Sequence, residues 1–143
     1  MIRVSFRLTL LSLLLASKPT EAPSAASPQA QESGQVLFEQ RCASCHAAQP
    51  GAEEEWGPNL YGVLDRPVGS AVDYRYGSYL QSENAAGALW TEESLGAWLA
   101  DSKAVAKAAG RRTKMPEQDV SEAELLRLTA YLATLGDALV AAQ

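Results

Sequence analysis

The chain has 143 residues, 47% of them hydrophobic and 20% charged, with a formal net charge of −5. That length supports one domain with room for an export segment, and the composition is ordinary for a globular protein. The acidic balance speaks against a nucleic-acid binder, which needs a basic face to displace counterions.

The first residues carry Arg3 and Arg7, and then Leu8 to Ala16 form a nine-residue apolar run. A positive start before so short a run reads as a secretory signal over residues 1–22, with Ala22 or Ala26 as the last residue before cleavage. It falls well short of the ~20 residues that span a bilayer, so no stable membrane insertion is expected. Residues 23–32 are rich in Ala, Pro, Ser and Gln without apolar periodicity, and read as a tether. The folded domain is expected over 33–143. Its first helix is predicted from a cap at Ser33 to about Cys45, with Val36, Leu37, Phe38 and Cys42 on the apolar side.

Within that stretch lies Cys42-Ala43-Ser44-Cys45-His46, a Cys-x-x-Cys-His run of the kind to which c-type haem is attached. On a helical turn, residues three and four apart share a face, so both thiols and the imidazole point the same way. Two thiols one turn apart can add to the two vinyl groups on one edge of a porphyrin, and the next side chain then lies beneath the iron. Cys42 and Cys45 are the only cysteines and His46 is the only histidine. A structural zinc site would want a fourth ligand, with only carboxylates left to supply it. A redox Cys-x-x-Cys belongs at a βα turn, and the chain shows no convincing strand.

Residues 47–73, rich in Gly and Pro and carrying Glu53-Glu54-Glu55, read as loops. The stretch from Tyr74 to Leu80 is ambiguous in period and reads as loop plus a short helical turn. Thr91 caps a predicted helix with Glu92 and Glu93 at its positive end and Leu95, Trp98 and Leu99 inward. An Ala-rich helical stretch from about Ser102 to Ala109 ends at Gly110. The last helix is the best marked. Ser121 and Glu124 form a capping box, Val120 and Leu125 a hydrophobic staple, and Leu125, Leu128, Leu132 and Leu135 one apolar stripe that stops at Gly136.

An iron bound below by His46 needs a second axial group or an open position. A second histidine is absent, and lysine and tyrosine are rarer choices than methionine, the soft partner that raises the potential. Met1 lies in the export segment, which leaves Met115; its bland alternative is a gap-filling core residue. With His46 and Met115 both on iron, one-electron transfer is the chemistry that remains.

From Ser33 to Gly136 the chain resembles the class I, mitochondrial-type monohaem cytochromes c. Besides Cys-Ala-Ser-Cys-His, the resemblance rests on Gly57-Pro58-Asn59-Leu60-Tyr61-Gly62-Val63-Leu64-Asp65-Arg66, Tyr74-Arg75-Tyr76, Leu89-Trp90-Thr91-Glu92-Glu93 and Thr113-Lys114-Met115, in the family's order. It implies an all-α fold with crossing N- and C-terminal helices, where Gly34 and Phe38 meet Tyr131. It implies one covalent haem c, and it matches Pro58 to the residue whose carbonyl accepts the His46 ring N–H. It also matches Arg66, Tyr76, Trp90 and Thr113 to groups that bind or screen the propionates. Trp98 departs from the tyrosine that many relatives place near the methionine sulfur. The segment from Ser102 to Met115 is about three residues longer than in the mitochondrial form and lacks its prolines, so looser packing is expected there.

The expected function is a periplasmic electron carrier, not an enzyme. The alternatives are an electron-accepting subunit of a dehydrogenase, signalled by an apolar surface around Tyr61 and Tyr79, or a haem that binds gases or reacts with peroxide. Lys103, Lys107, Arg111, Arg112 and Lys114 put five bases into twelve residues around Met115, with Arg41 beside the attachment site. They predict a basic rim for redox protein partners, against the plainer reading of a solvated helix face.

Overall fold

The computed structural model describes residues 28–53 and 56–136. The expected signal segment, the start of the tether and residues 54, 55 and 137–143 lie outside them. Four helices follow one another: α1 (Pro28–Arg41), α2 (Ser78–Ala85), α3 (Glu92–Ala108) and α4 (Glu122–Thr134). None is long and apolar enough to cross a membrane.

Helix α1 is described from Pro28, a residue suited to the first helical position because its missing N–H costs nothing there. Ser33, expected as the cap, lies inside the helix, and its hydroxyl donates to the Ala30 carbonyl. Val36, expected on the apolar side, is exposed, whereas Gly34 and Phe38 are buried. The helix then tightens into a turn in which the Cys45 and His46 N–H groups both donate to the Cys42 carbonyl.

Helices α1 and α4 form the most extensive helix pair. A Cβ added to Gly34 would lie 2.1 Å from the Arg127 carbonyl oxygen and 2.7 Å from Tyr131 Cβ. Backbone therefore rests on backbone at the crossing, and the Phe38 and Tyr131 rings close it at 5.7 Å. Leu128 and Leu132 of α4 are fully buried, with Leu125 and Leu135 packed beside them, as the apolar stripe predicts.

Of the three predicted caps, those at Thr91 and Ser121 form and that at Ser33 does not. Ser121 and Glu124 make the capping box on α4. Thr91 makes one on α3 with Ser94 as the reciprocal partner. The predicted helix from Thr91 and the Ala-rich stretch after it join as α3 across a kink at Asp101 (φ −158°, ψ 86°). The ambiguous Tyr74–Leu80 segment becomes a loop that enters α2. Among the described residues no strand forms, but segments 65–68 and 88–90 pair through Asp65 N–H to Trp90 O, Trp90 N–H to Arg66 O and Val68 N–H to Ala88 O. This pairing fixes Trp90 and Arg66 beside the central cleft.

At the start of α4, Glu124 also pairs with Arg41 across 3.1 Å, while Arg41 donates to the Asp119 carbonyl at 2.6 Å. The Ser121 backbone N–H, then its hydroxyl, and more weakly Arg41 hold the Glu124 carboxyl below the usual carboxylate range. A carboxyl lowered in the folded state contributes stability above its ordinary pKa, and loses it as pH falls through the ordinary and then the folded value. Glu124→Gln should therefore lower the guanidinium midpoint at neutral pH, with the gap from wild type closing on the acid side. A gap that is constant down to acid pH contradicts the assignment.

Candidate haem site

Between the α1–α4 crossing and the long loops lies a cleft with about 970 Å³ of empty space, its mouth included. Its walls are largely apolar: Leu60, Leu80, Leu95 and Leu99, with Trp90 and Trp98. Cys42, Cys45 and His46 line it from the turn after α1, and Met115 lines it from the loop after α3. Pro58, Arg66, Tyr76, Trp90 and Thr113 line it too. The structure thus gathers every sequence-predicted site residue around one space.

The turn that ends α1 puts both thiols and the imidazole on one wall. His46 Nδ1 lies 2.8 Å from the Pro58 carbonyl oxygen, which can only accept, so the ring donates its proton there. Gly57 lies flush on the imidazole, since an added Cβ would stand 2.4 Å from Cε1. A residue with a side chain at 57 would displace the ring. Burial pushes the Cys42 thiol up to about 11, against the lowering influence of Arg41.

Met115, which lines the same cleft from the loop after α3, is half-buried and packs against the core. Its N–H donates to Thr113 Oγ1 at 3.0 Å and its carbonyl accepts from Ser102 Oγ at 3.2 Å. These bonds tie down the segment that its length and missing prolines led one to expect loose. Trp98 is buried, stacks on Tyr79 at 5.3 Å and lies 6.1 Å from Trp90.

Arg66 is engaged by backbone: its guanidinium donates to the Asn59 carbonyl at 2.9 Å and the Tyr61 carbonyl at 3.2 Å. The Tyr76 hydroxyl accepts from Ala71 N–H at 3.2 Å. Trp56, which is 82% exposed, and Leu80 also line the cleft, and neither is among the residues expected there from sequence. Its place next to Gly57-Pro58 could have flagged Trp56. Nothing local marks Leu80.

The residues present fit a flat, mostly apolar ring. Two thiols stand on one wall beside an oriented imidazole, a thioether lines the cleft from the other chain segment, and indoles and leucines supply dry walls. The fold and site define a c-type haem protein. The match to the family model "Cytochrome c" covers residues 31–136, and the chain belongs to the cytochrome c family. It is 35% identical over 100 residues to cytochrome c2 of Agrobacterium tumefaciens, an alignment covering 69% of this chain and 86% of that one. It is 40% identical over 63 residues to cytochrome c-550 of Ancylobacter novellus, covering 44% of this chain and 59% of that one. The solved structure of cytochrome c2 from Rhodospirillum centenum superimposes with a TM-score of 0.67 at 31% identity, covering 74% of this chain and 98% of that one.

Proposed function

We propose that this chain is a single-haem electron carrier in which Cys42 and Cys45 would hold haem c covalently and His46 and Met115 would hold its iron. When bound, the haem supplies reversible Fe²⁺/Fe³⁺ exchange of one electron. The observation that carries the reading is the meeting of the Cys42–His46 turn and Met115 on one apolar cleft. The protein's work is to position ligands and exclude water. The Pro58 carbonyl accepts a hydrogen bond from Nδ1–H and fixes the imidazole plane, so Nε2 would be the atom that holds the iron, with its basicity raised. Met115 supplies a neutral, soft sulfur. Arg66, Tyr76, Trp90 and Thr113 are assigned to the propionate edge.

A carrier reading is favoured over that of a dehydrogenase subunit by the two tyrosines expected to mark an apolar interface. Tyr61 and Tyr79 are both half-buried, and Tyr79 is stacked on Trp98. Export to the periplasm is assigned from Arg3, Arg7 and the apolar run that follows them, which lie outside the described residues.

Docking is assigned to the basic rim. Lys103, Lys107, Arg111, Arg112 and Lys114 are all exposed. Lys103 is partly offset by Glu117 at 3.8 Å, and Lys114 donates to the Arg75 carbonyl beside the Tyr74 ring. Arg41, counted with the rim on sequence, is committed to Glu124 and Asp119. The remaining bases flank the Met115 loop and suit a redox protein with an acidic face. Such fields act mainly on association rate. The expected result is a bimolecular electron-transfer rate that falls severalfold between about 0.01 and 0.15 M salt, as the Debye length shrinks from ~30 to ~8 Å. Stopped-flow mixing of the mature holoprotein with an acidic redox protein measures it. A rate that is flat or rises with salt removes the rim from the account.

A further inference from the structure

Among the described residues, Ser102 is the buried polar residue of the core, with 2% of its surface exposed. It is there because α3 kinks. Asp101 leaves the helical region, and its carboxylate accepts from Ala104 N–H at 2.8 Å, capping the second half of the helix. The break turns the next residue inward, toward the loop that carries Met115. A buried hydroxyl left without a partner is costly, and this one donates to the Met115 carbonyl at 3.2 Å.

The Met115 peptide is therefore gripped at both ends, its N–H by Thr113 and its carbonyl by Ser102. Pro116 follows, which disfavours the helical region for Met115 and narrows its backbone further. With the backbone fixed, where the thioether can reach is decided by the side-chain torsions alone. For the sulfur to withdraw far from the cleft, the loop must lift, and lifting breaks the tie to a residue that cannot follow because it is packed into the core.

We propose that Ser102 is a positioning residue that latches the Met115 loop closed and so sets how readily an outside ligand replaces the thioether. This rests on the reading of Met115 as an axial ligand. An incoming ligand binds only the lifted state, so its apparent dissociation constant is its intrinsic constant divided by the lifted fraction. Removing one hydrogen bond from the closed state alone raises that fraction roughly three- to tenfold.

The test is imidazole titration of the ferric holoprotein, read by loss of the near-infrared band that sulfur-ligated ferric haem gives. Ser102→Ala should lower the apparent dissociation constant for imidazole about three- to tenfold. Val68→Ala, a buried truncation that does not line the cleft, serves as the control for general loosening. It should lower the guanidinium midpoint while leaving imidazole affinity within about twofold of wild type. The latch is overturned if Ser102→Ala binds imidazole as wild type does, or if Val68→Ala strengthens binding as much as Ser102→Ala. A wild-type protein without the band would instead overturn the ligand assignment, and the latch with it. The two failures are thus distinguishable.

Discussion

Met115→Ala should abolish the near-infrared band of the ferric protein and let the reduced protein bind carbon monoxide rapidly at neutral pH. The thioether is a neutral, polarisable donor that favours the lower charge of Fe²⁺, so its loss should also depress the reduction potential. A fall on the order of 0.1–0.3 V is expected, within the range of about 0.8 V that axial ligation spans. Spectroelectrochemistry and carbon monoxide mixing measure the two effects. The alanine leaves the Thr113 and Ser102 bonds to residue 115 intact, because both are made to its backbone. The loop should keep its course while its ligand atom is gone. Lys114, the nearest replacement in sequence, is held by the Arg75 carbonyl and lies over the Tyr74 ring. An unchanged band in the variant, or wild-type protein that binds carbon monoxide as fast, would remove Met115 from the iron.

How much of this was visible in the chain follows from the range over which each signal acts. The Ser121–Glu124 box and the leucine stripe lie within one helix, so α4 could be read from its own residues. The Cys42–His46 turn is equally local. Met115 is singled out by elimination, which is possible only because sulfur and imidazole are so scarce here. The start of α1 is not legible in the sequence, because its first turn is polar and carries no apolar periodicity. Gly34 and Pro58 were found only through family resemblance, since their roles exist where distant segments touch. Ser102 had no such marker. Its function arises from a kink at Asp101 and a loop thirteen residues away, and neither composition nor period announces that meeting.

Gly34→Ala is the substitution expected to cost most stability. In an unobstructed helix interior, replacing glycine by alanine stabilises by about 1 kcal/mol, because the unfolded chain loses freedom and the helix gains propensity. Here the new methyl would stand 2.1 Å from the Arg127 carbonyl oxygen and 2.7 Å from Tyr131 Cβ. The first contact is backbone and the second is the root of a side chain, so no rotamer change relieves either. The helices must separate, which opens the Phe38–Tyr131 contact and the packing of Leu128 and Leu132 that the crossing shields. Forced overpacking typically costs 1–3 kcal/mol and occasionally more, and a clash against main chain belongs at the upper end. The net loss should be about 2–3 kcal/mol, a large share of the ~5–15 kcal/mol that holds a domain together. Guanidinium unfolding of the holoprotein, followed by far-UV circular dichroism, gives the sign directly. A midpoint equal to or above wild type would mean that α1 and α4 do not cross in backbone contact at Gly34, and the cleft between their junction and the Met115 loop would have to be redrawn.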